Sequence, residues 1–265
     1  MKRPGIAVFD SGLGGLTVLR ALRGQLPKED FFYFADTRFL PYGDRPEVFL
    51  KERGVLIARA LVARGAKALV IACNTATAAA AEEIRAAVDV PVVAMEPGVK
   101  PAAALSQSGR IGVMATTRTV SSPRFQRLLD NHASHVEVIA QACPGLAEAI
   151  ETHGPESAEV AMLLDCFVSP LAAAGVDVVA LGCSHYPWVA AAIAQRLPPG
   201  VQLLDTGEAI ARQLERMLTA GHLLGGGSGQ LQLATSGAPL TVKATVERLW
   251  GQQGSAHLPV EHWEP

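Results

Sequence analysis

Gly65-Ala-Lys-Ala-Leu-Val-Ile-Ala-Cys73 recurs 110 residues later as Gly175-Val-Asp-Val-Val-Ala-Leu-Gly-Cys183, in register from end to end. The echo extends beyond this pair. Gly5-Ile-Ala-Val-Phe-Asp-Ser11 parallels Arg110-Ile-Gly-Val-Met-Ala-Thr116, and Val92-Val-Ala-Met-Glu96 parallels Val201-Gln-Leu-Leu-Asp205. Each is a short apolar run bounded by glycine, proline or polar residues, the pattern of a strand buried on both faces of a parallel sheet. Further strands read at Phe31–Ala35, Val136–Ala140 and Leu231–Thr235. Helical stretches lie between them: Leu16–Leu26, Pro46–Arg64, Thr75–Val88, Leu146 onward, Glu156–Ala174, Ala209–Leu224 and Val242–Trp250. The alternation predicts an α/β fold. Its repetition predicts two similar α/β lobes with mainly parallel sheets, related by a pseudo-two-fold axis, with the active site in the cleft between them. The Pro97-Gly98 break sets the expected boundary. Residues 1–97 and 208–265 form a discontinuous first domain, because the tail has no counterpart after the first half, and residues 98–207 form the second.

The chemistry follows from where the cysteines fall. Cys73 and Cys183 each end a strand, at the carboxyl edge of a sheet, where α/β proteins bind ligands. Facing those edges together surrounds the two thiols with Asp10, Ser11, Asn74, Thr75, Thr116, Ser184 and His185. Two opposed thiols have one well-defined use: one removes a proton from carbon while the other supplies a proton to the opposite face, inverting a stereocentre. A free thiol titrates at about 8.5, close enough to neutrality for a thiol/thiolate pair. Asp10 and His185 are the groups placed to tune it, and the hydroxyls, the Asn74 amide and helix N-termini suit carboxylate ligands. Cys143 and Cys166 lack polar flanks and read as structural.

Other classes are excluded by composition and motif. A net charge of −2 with no Lys/Arg-rich run leaves no footprint for nucleic acid or an anionic membrane. Met1-Lys-Arg-Pro-Gly5 leads straight into the first strand, with no signal-peptide core and no run able to span a bilayer, so the expected location is cytoplasmic. The four cysteines read as reduced thiols, and without a Cys-x-x-Cys pair they give no zinc site. The turn Asp10-Ser-Gly-Leu-Gly-Gly15 is not a dinucleotide fingerprint, since Thr17 takes the third glycine position, nor a Walker loop. Its glycines permit positive φ and close backbone approach.

Phe9-Asp-Ser-Gly-Leu-Gly-Gly, Tyr33-Phe-Ala-Asp-Thr-Arg, Leu40-Pro-Tyr-Gly, Ala72-Cys-Asn-Thr-Ala-Thr, Glu96-Pro-Gly and Leu181-Gly-Cys-Ser-His-Tyr-Pro together resemble the glutamate racemase family over almost the whole chain. The resemblance implies interconversion of L- and D-glutamate without pyridoxal phosphate or metal, supplying D-glutamate for peptidoglycan. It implies that Cys73 and Cys183 are the acid/base pair, assisted by Asp10, His185 and Glu151. Substrate contacts are implied for Asp10, Ser11, Tyr42, Gly43, Asn74, Thr75, Thr116, Thr119, Ser184 and His185. A homodimer is the expected assembly. Two departures stand out: Ser184 occupies a position usually held by Thr, and the segment before Glu151 lacks a customary proline. The rival readings are a related racemase acting on aspartate or another amino acid, and a non-catalytic two-lobed small-molecule binding protein. Such a binder would survive mutation of either cysteine.

Overall fold

The computed structural model describes residues 5–251 and 258–265; the lead-in Met1–Pro4 lies outside the described residues. The strands are β1 Gly5–Asp10, β2 Phe31–Ala35, β3 Ala66–Ile71, β4 Val92–Ala94, β5 Arg110–Ala115, β6 Glu137–Ala142, β7 Val178–Gly182, β8 Gln202–Leu204, β9 Leu231–Thr235 and β10 Val260–His262. The helices are α1 Leu16–Gln25, α2 Glu47–Ala63, α3 Asn74–Ala87, α4 Val99–Leu105, α5 Thr117–Val120, α6 Pro123–His132, α7 Leu146–His153, α8 Ala158–Ala173, α9 Ala190–Ala194, α10 Gly207–Ala220 and α11 Pro239–Trp250.

Among the described residues two sheets form, and every pairing in them is parallel. The first runs β10-β9-β2-β1-β3-β4 and the second β6-β5-β7-β8. With β9 and β10 set aside, the two orders are the same: β1, β2, β3 and β4 correspond to β5, β6, β7 and β8. That is the repeat seen in the sequence, now as shared topology. In a sheet wound 2-1-3-4 the crevice opens at the carboxyl ends of the first and third strands. Those ends carry Asp10 and Cys73 in one lobe, and Thr116 and Cys183 in the other.

The central strands are apolar on both faces because helices cover both faces. One face of the first sheet packs on α2 and α3, giving a cluster that includes Phe9, Phe34, Ile57 and Ile84. The other face packs on α1 and α10, and this core continues without a break into the second lobe through Met95, Met114 and Leu181 to α8. A smaller cluster, with Val99, Ile111 and Phe125, closes the far side of the second sheet. The lobes therefore share buried apolar surface and are more than two bodies on a tether.

Candidate active site

Each functional side chain sits where a strand hands over to a helix. β3 ends and Cys73 becomes the N-cap of α3, with its Sγ accepting the Ala76 N–H at 3.4 Å. The same sulfur lies 3.5 Å from Ser11 Oγ, on the turn after β1. Asp10 is fully buried behind Ser11. Its two oxygens accept the N–H groups of Ser11 at 2.9 Å and Gly15 at 2.7 Å, and Ser184 Oγ at 3.4 Å. Burial raises the Asp10 pKa, with nearby His185 opposing it. Burial, then the Asp10 charge, pushes the Cys73 thiol up to about 12.

On the second wall, β7 runs into Cys183-Ser184-His185. The Cys183 sulfur lies 3.7 Å from His185 Nδ1, and His185 Nε2 lies 2.6 Å from Glu151 Oε1 on α7. Burial disfavours the His185 imidazolium, but hydrogen bonds to Cys183 and Glu151 outweigh that and hold its pKa well above the usual imidazole range. Three threonine hydroxyls join the lobes: Thr75 to Thr116 at 2.9 Å, Thr116 to Thr119 at 3.0 Å and Thr75 to Thr119 at 3.4 Å. Thr116 also caps α5 by accepting the Thr119 N–H.

These residues surround a cleft of ≈ 570 Å³, counting the part open to solvent. Ser11, Tyr42, Gly43, Cys73, Asn74, Thr75, Thr116, Cys183, Ser184 and His185 line it, so both strand-end thiols face one space. Asp10, Glu151 and Thr119 stand behind the lining, each hydrogen-bonded to residues that reach it. Asn74 is buried, and both ends of its amide lack a partner. An unpaired buried amide on a cleft wall costs stability unless a ligand completes it. Tyr42 differs: its hydroxyl donates to Asp36 at 2.5 Å, and Asp36 is clamped bidentately by buried Arg53 at 2.9 and 2.6 Å. The polar end of Tyr42 is committed inside the protein, which leaves its ring and the Tyr42-Gly43 backbone to the cleft.

Three expectations need correction. Cys143, read as structural, lines the cleft, sharing with Cys183 a place at the carboxyl end of a strand. Cys166 is exposed on α8 and packs in no core. The turn glycines do not adopt positive φ. They serve close approach: a Cβ at Gly12 would lie 2.2 Å from Glu151 Oε1, and one at Gly14 would lie 2.4 Å from His185 Nδ1. Thr117 and Glu148 also line the cleft and went unread, because they sit on α5 and in the first turn of α7, and neither position repeats in the other half.

Comparison with known proteins sharpens this picture. Residues 51–214 match the model of the Asp/Glu/Hydantoin racemase family. The chain is 48% identical to a glutamate racemase of Pseudomonas paraeruginosa, over 94% of this chain and 95% of the relative. It is 46% identical to one of Stutzerimonas stutzeri, over 93% and 94%. Among solved structures it resembles glutamate racemase isoform RacE1 of Bacillus anthracis, with a TM-score of 0.87 at 29% identity over 100% and 98% of the two chains. It also resembles Escherichia coli glutamate racemase, solved with L-glutamate and the activator UDP-MurNAc-Ala, with a TM-score of 0.85 at 30% identity over 98% and 97%.

Proposed function

The chain belongs to the Asp/Glu/Hydantoin racemase family, and on that premise we propose that it is a glutamate racemase that supplies D-glutamate for peptidoglycan by a two-thiol proton transfer. The observation that carries the mechanism is the placement of Cys73 and Cys183 at the ends of β3 and β7, equivalent strands of two like-wound sheets, on the walls of one cleft.

In one direction Cys183, as thiolate, takes the α-proton of L-glutamate, and the Cys73 thiol delivers its proton to the opposite face. The reverse direction exchanges the roles, as microscopic reversibility requires. The surroundings differ accordingly. Cys73, with its thiol pushed up to about 12, keeps its proton in the free protein and is ready as an acid. To act as base it needs a positive charge nearby, and the substrate ammonium brings one. Cys183 has a different neighbour: His185, whose pKa is raised, against burial, by its hydrogen bonds to Cys183 and then Glu151, lies 3.7 Å from the sulfur. Hydroxyls and amide donors at the starts of α3 and α5, with the Asn74 amide, stabilise the short-lived carbanion and the substrate carboxylates. The mechanism requires thiols that stay reduced, which suits a cytoplasmic protein, and the resemblance carries a homodimer as the assembly.

The test is a chirality assay on purified protein with L-glutamate, D-glutamate and both aspartates. Circular dichroism should decay to zero from either glutamate enantiomer, because the two products have equal free energy. Faster turnover of aspartate would reassign the substrate, and binding without loss of optical activity would favour the two-lobed binding protein.

A further inference from the structure

We infer that the turn after β1, pinned by the Tyr33 hydroxyl, positions the Glu151–His185–Cys183 relay, so that the first lobe orients the proton-transfer group of the second. This rests on the racemase reading and adds a positioning residue to it.

Glu151 Oε1 is shared. It meets His185 Nε2 at 2.6 Å within the second lobe and accepts the Leu13 N–H at 2.6 Å from the first. The carboxylate therefore cannot orient the imidazole independently of where the turn sits. The turn in turn hangs on Tyr33: its hydroxyl donates to the Gly12 carbonyl, one residue before Leu13, at 2.8 Å. Burial, then the charges of Asp10 and Glu151, pushes the Tyr33 pKa well above the phenol range, so the group is a permanent donor. Thr17 Oγ1, at the start of α1, donates to the Ser184 carbonyl at 3.1 Å and fixes the loop that carries Cys183 and His185. The absent Cβ atoms of Gly12 and Gly14 leave the space that Glu151 Oε1 and the His185 ring occupy. Tyr33 is fully buried and does not line the cleft, so it reaches the reaction through the turn and through Asp10, the residue that begins that turn.

A tyrosine that merely fills the core would affect the amount of folded protein and nothing else. Primary isotope effects separate the two cases, because each enantiomer reports on a different thiol. With [2-²H]-L-glutamate the labelled transfer is to Cys183, and with [2-²H]-D-glutamate it is to Cys73. In Tyr33→Phe, kcat should fall about ten- to a hundredfold, as for loss of alignment. The isotope effect from L-glutamate should rise while that from D-glutamate falls, because the Cys183 transfer becomes more rate-limiting in both directions. Gly12→Ala, which leaves Tyr33 intact and intrudes on Glu151, should move both effects the same way as Tyr33→Phe and keeps the test open if that variant misfolds. Isotope effects that stay unchanged, or move together, overturn the positioning role. Failure of the racemase reading would show separately, as no racemisation of glutamate by the unaltered protein.

Discussion

Cys73 and Cys143 are both buried thiols on one cleft, both pushed up to about 12 by burial, but their partners differ: Cys73 meets the Ser11 hydroxyl and accepts the Ala76 N–H, whereas Cys143 donates to the Gln141 carbonyl on β6. The difference gives a graded expectation. Cys73→Ser or Cys183→Ser should cut racemisation at least about a hundredfold, since a serine hydroxyl is a far weaker acid and each turnover uses both positions. In deuterated water, early product from the unaltered protein should carry deuterium at the α-carbon while recovered substrate stays mostly protiated. Heavy early labelling of the substrate would mean a single base serving both faces. Alkylation offers a second reading of the same thiols. Glutamate should protect Cys73, Cys183 and Cys143, which line the cleft, but not exposed Cys166. The raised Cys73 value also has a sign for stability. The folded state holds that proton more tightly than the unfolded chain. The associated stability is therefore complete below the free-thiol value of about 8.5 and is lost as pH climbs through about 12. Cys73→Ala should lose less stability than the unaltered protein between pH 8 and pH 10, a range set by that value, as read from urea midpoints. Equal losses would place the Cys73 titration elsewhere.

Helix starts, rather than side chains alone, make the ligand wall. α3 and α5 begin at Cys73 and Thr116, and the Thr75–Thr116–Thr119 hydroxyls tie those two starts together across the lobes. Thr116→Val removes a cap worth about 1 kcal/mol and a cleft-lining hydroxyl together. It should raise the KM for both enantiomers more than Thr119→Val, whose hydroxyl lies behind the lining. An equal effect from the two would mean that the network acts as a unit. At this scale the sequence was uneven in what it revealed. β1, β3, β5 and β7 are apolar runs ending in polar residues, so both they and Cys73 and Cys183 were legible. α4 is short and Ala-rich, and α6 carries its apolar face on Phe125, Leu128 and Leu129 alone in an otherwise polar stretch, so both went unread. β10 is three residues long, with its last two exposed, and no local pattern distinguishes it from a loop. The roles of Gly12 and Gly14 could not be seen locally at all. They depend on Glu151 and His185 arriving from more than a hundred residues away.

The two sheets share an order but not their edges, and the difference explains the tail. β6 is the outer strand of the second sheet and tolerates it, because Glu137 is exposed and Gln141 polar, the kind of residues that blunt a free edge. Its counterpart β2 is Phe31-Phe-Tyr-Phe-Ala35, buried at every position. Left as an edge, that run would offer an apolar template for pairing with another chain. β9 pairs with it along Phe31–Ala35, β10 pairs with β9, and Trp263 packs edge-on against Phe32 and Phe34 at 5.6 and 4.9 Å between ring centroids. Partly buried Lys67, on β3, reaches Glu29 and the carbonyls of Leu223 and Gly225, fastening the segment that leads into β9. This supports the proposal that residues 208–265 belong with residues 1–97. It also sets a prediction for the whole molecule: truncation after Leu224 should expose β2 and its phenylalanines and give aggregated, inactive protein. Replacing Trp263 with Ala, which keeps β9, should instead give a soluble and active enzyme with a melting temperature lower by several degrees, since loss of a half-buried aromatic costs on the order of 2 kcal/mol. Soluble, fully active protein from the truncated chain would show that the Phe-rich strand does not need its cover, and that the tail is an addition to a lobe already complete.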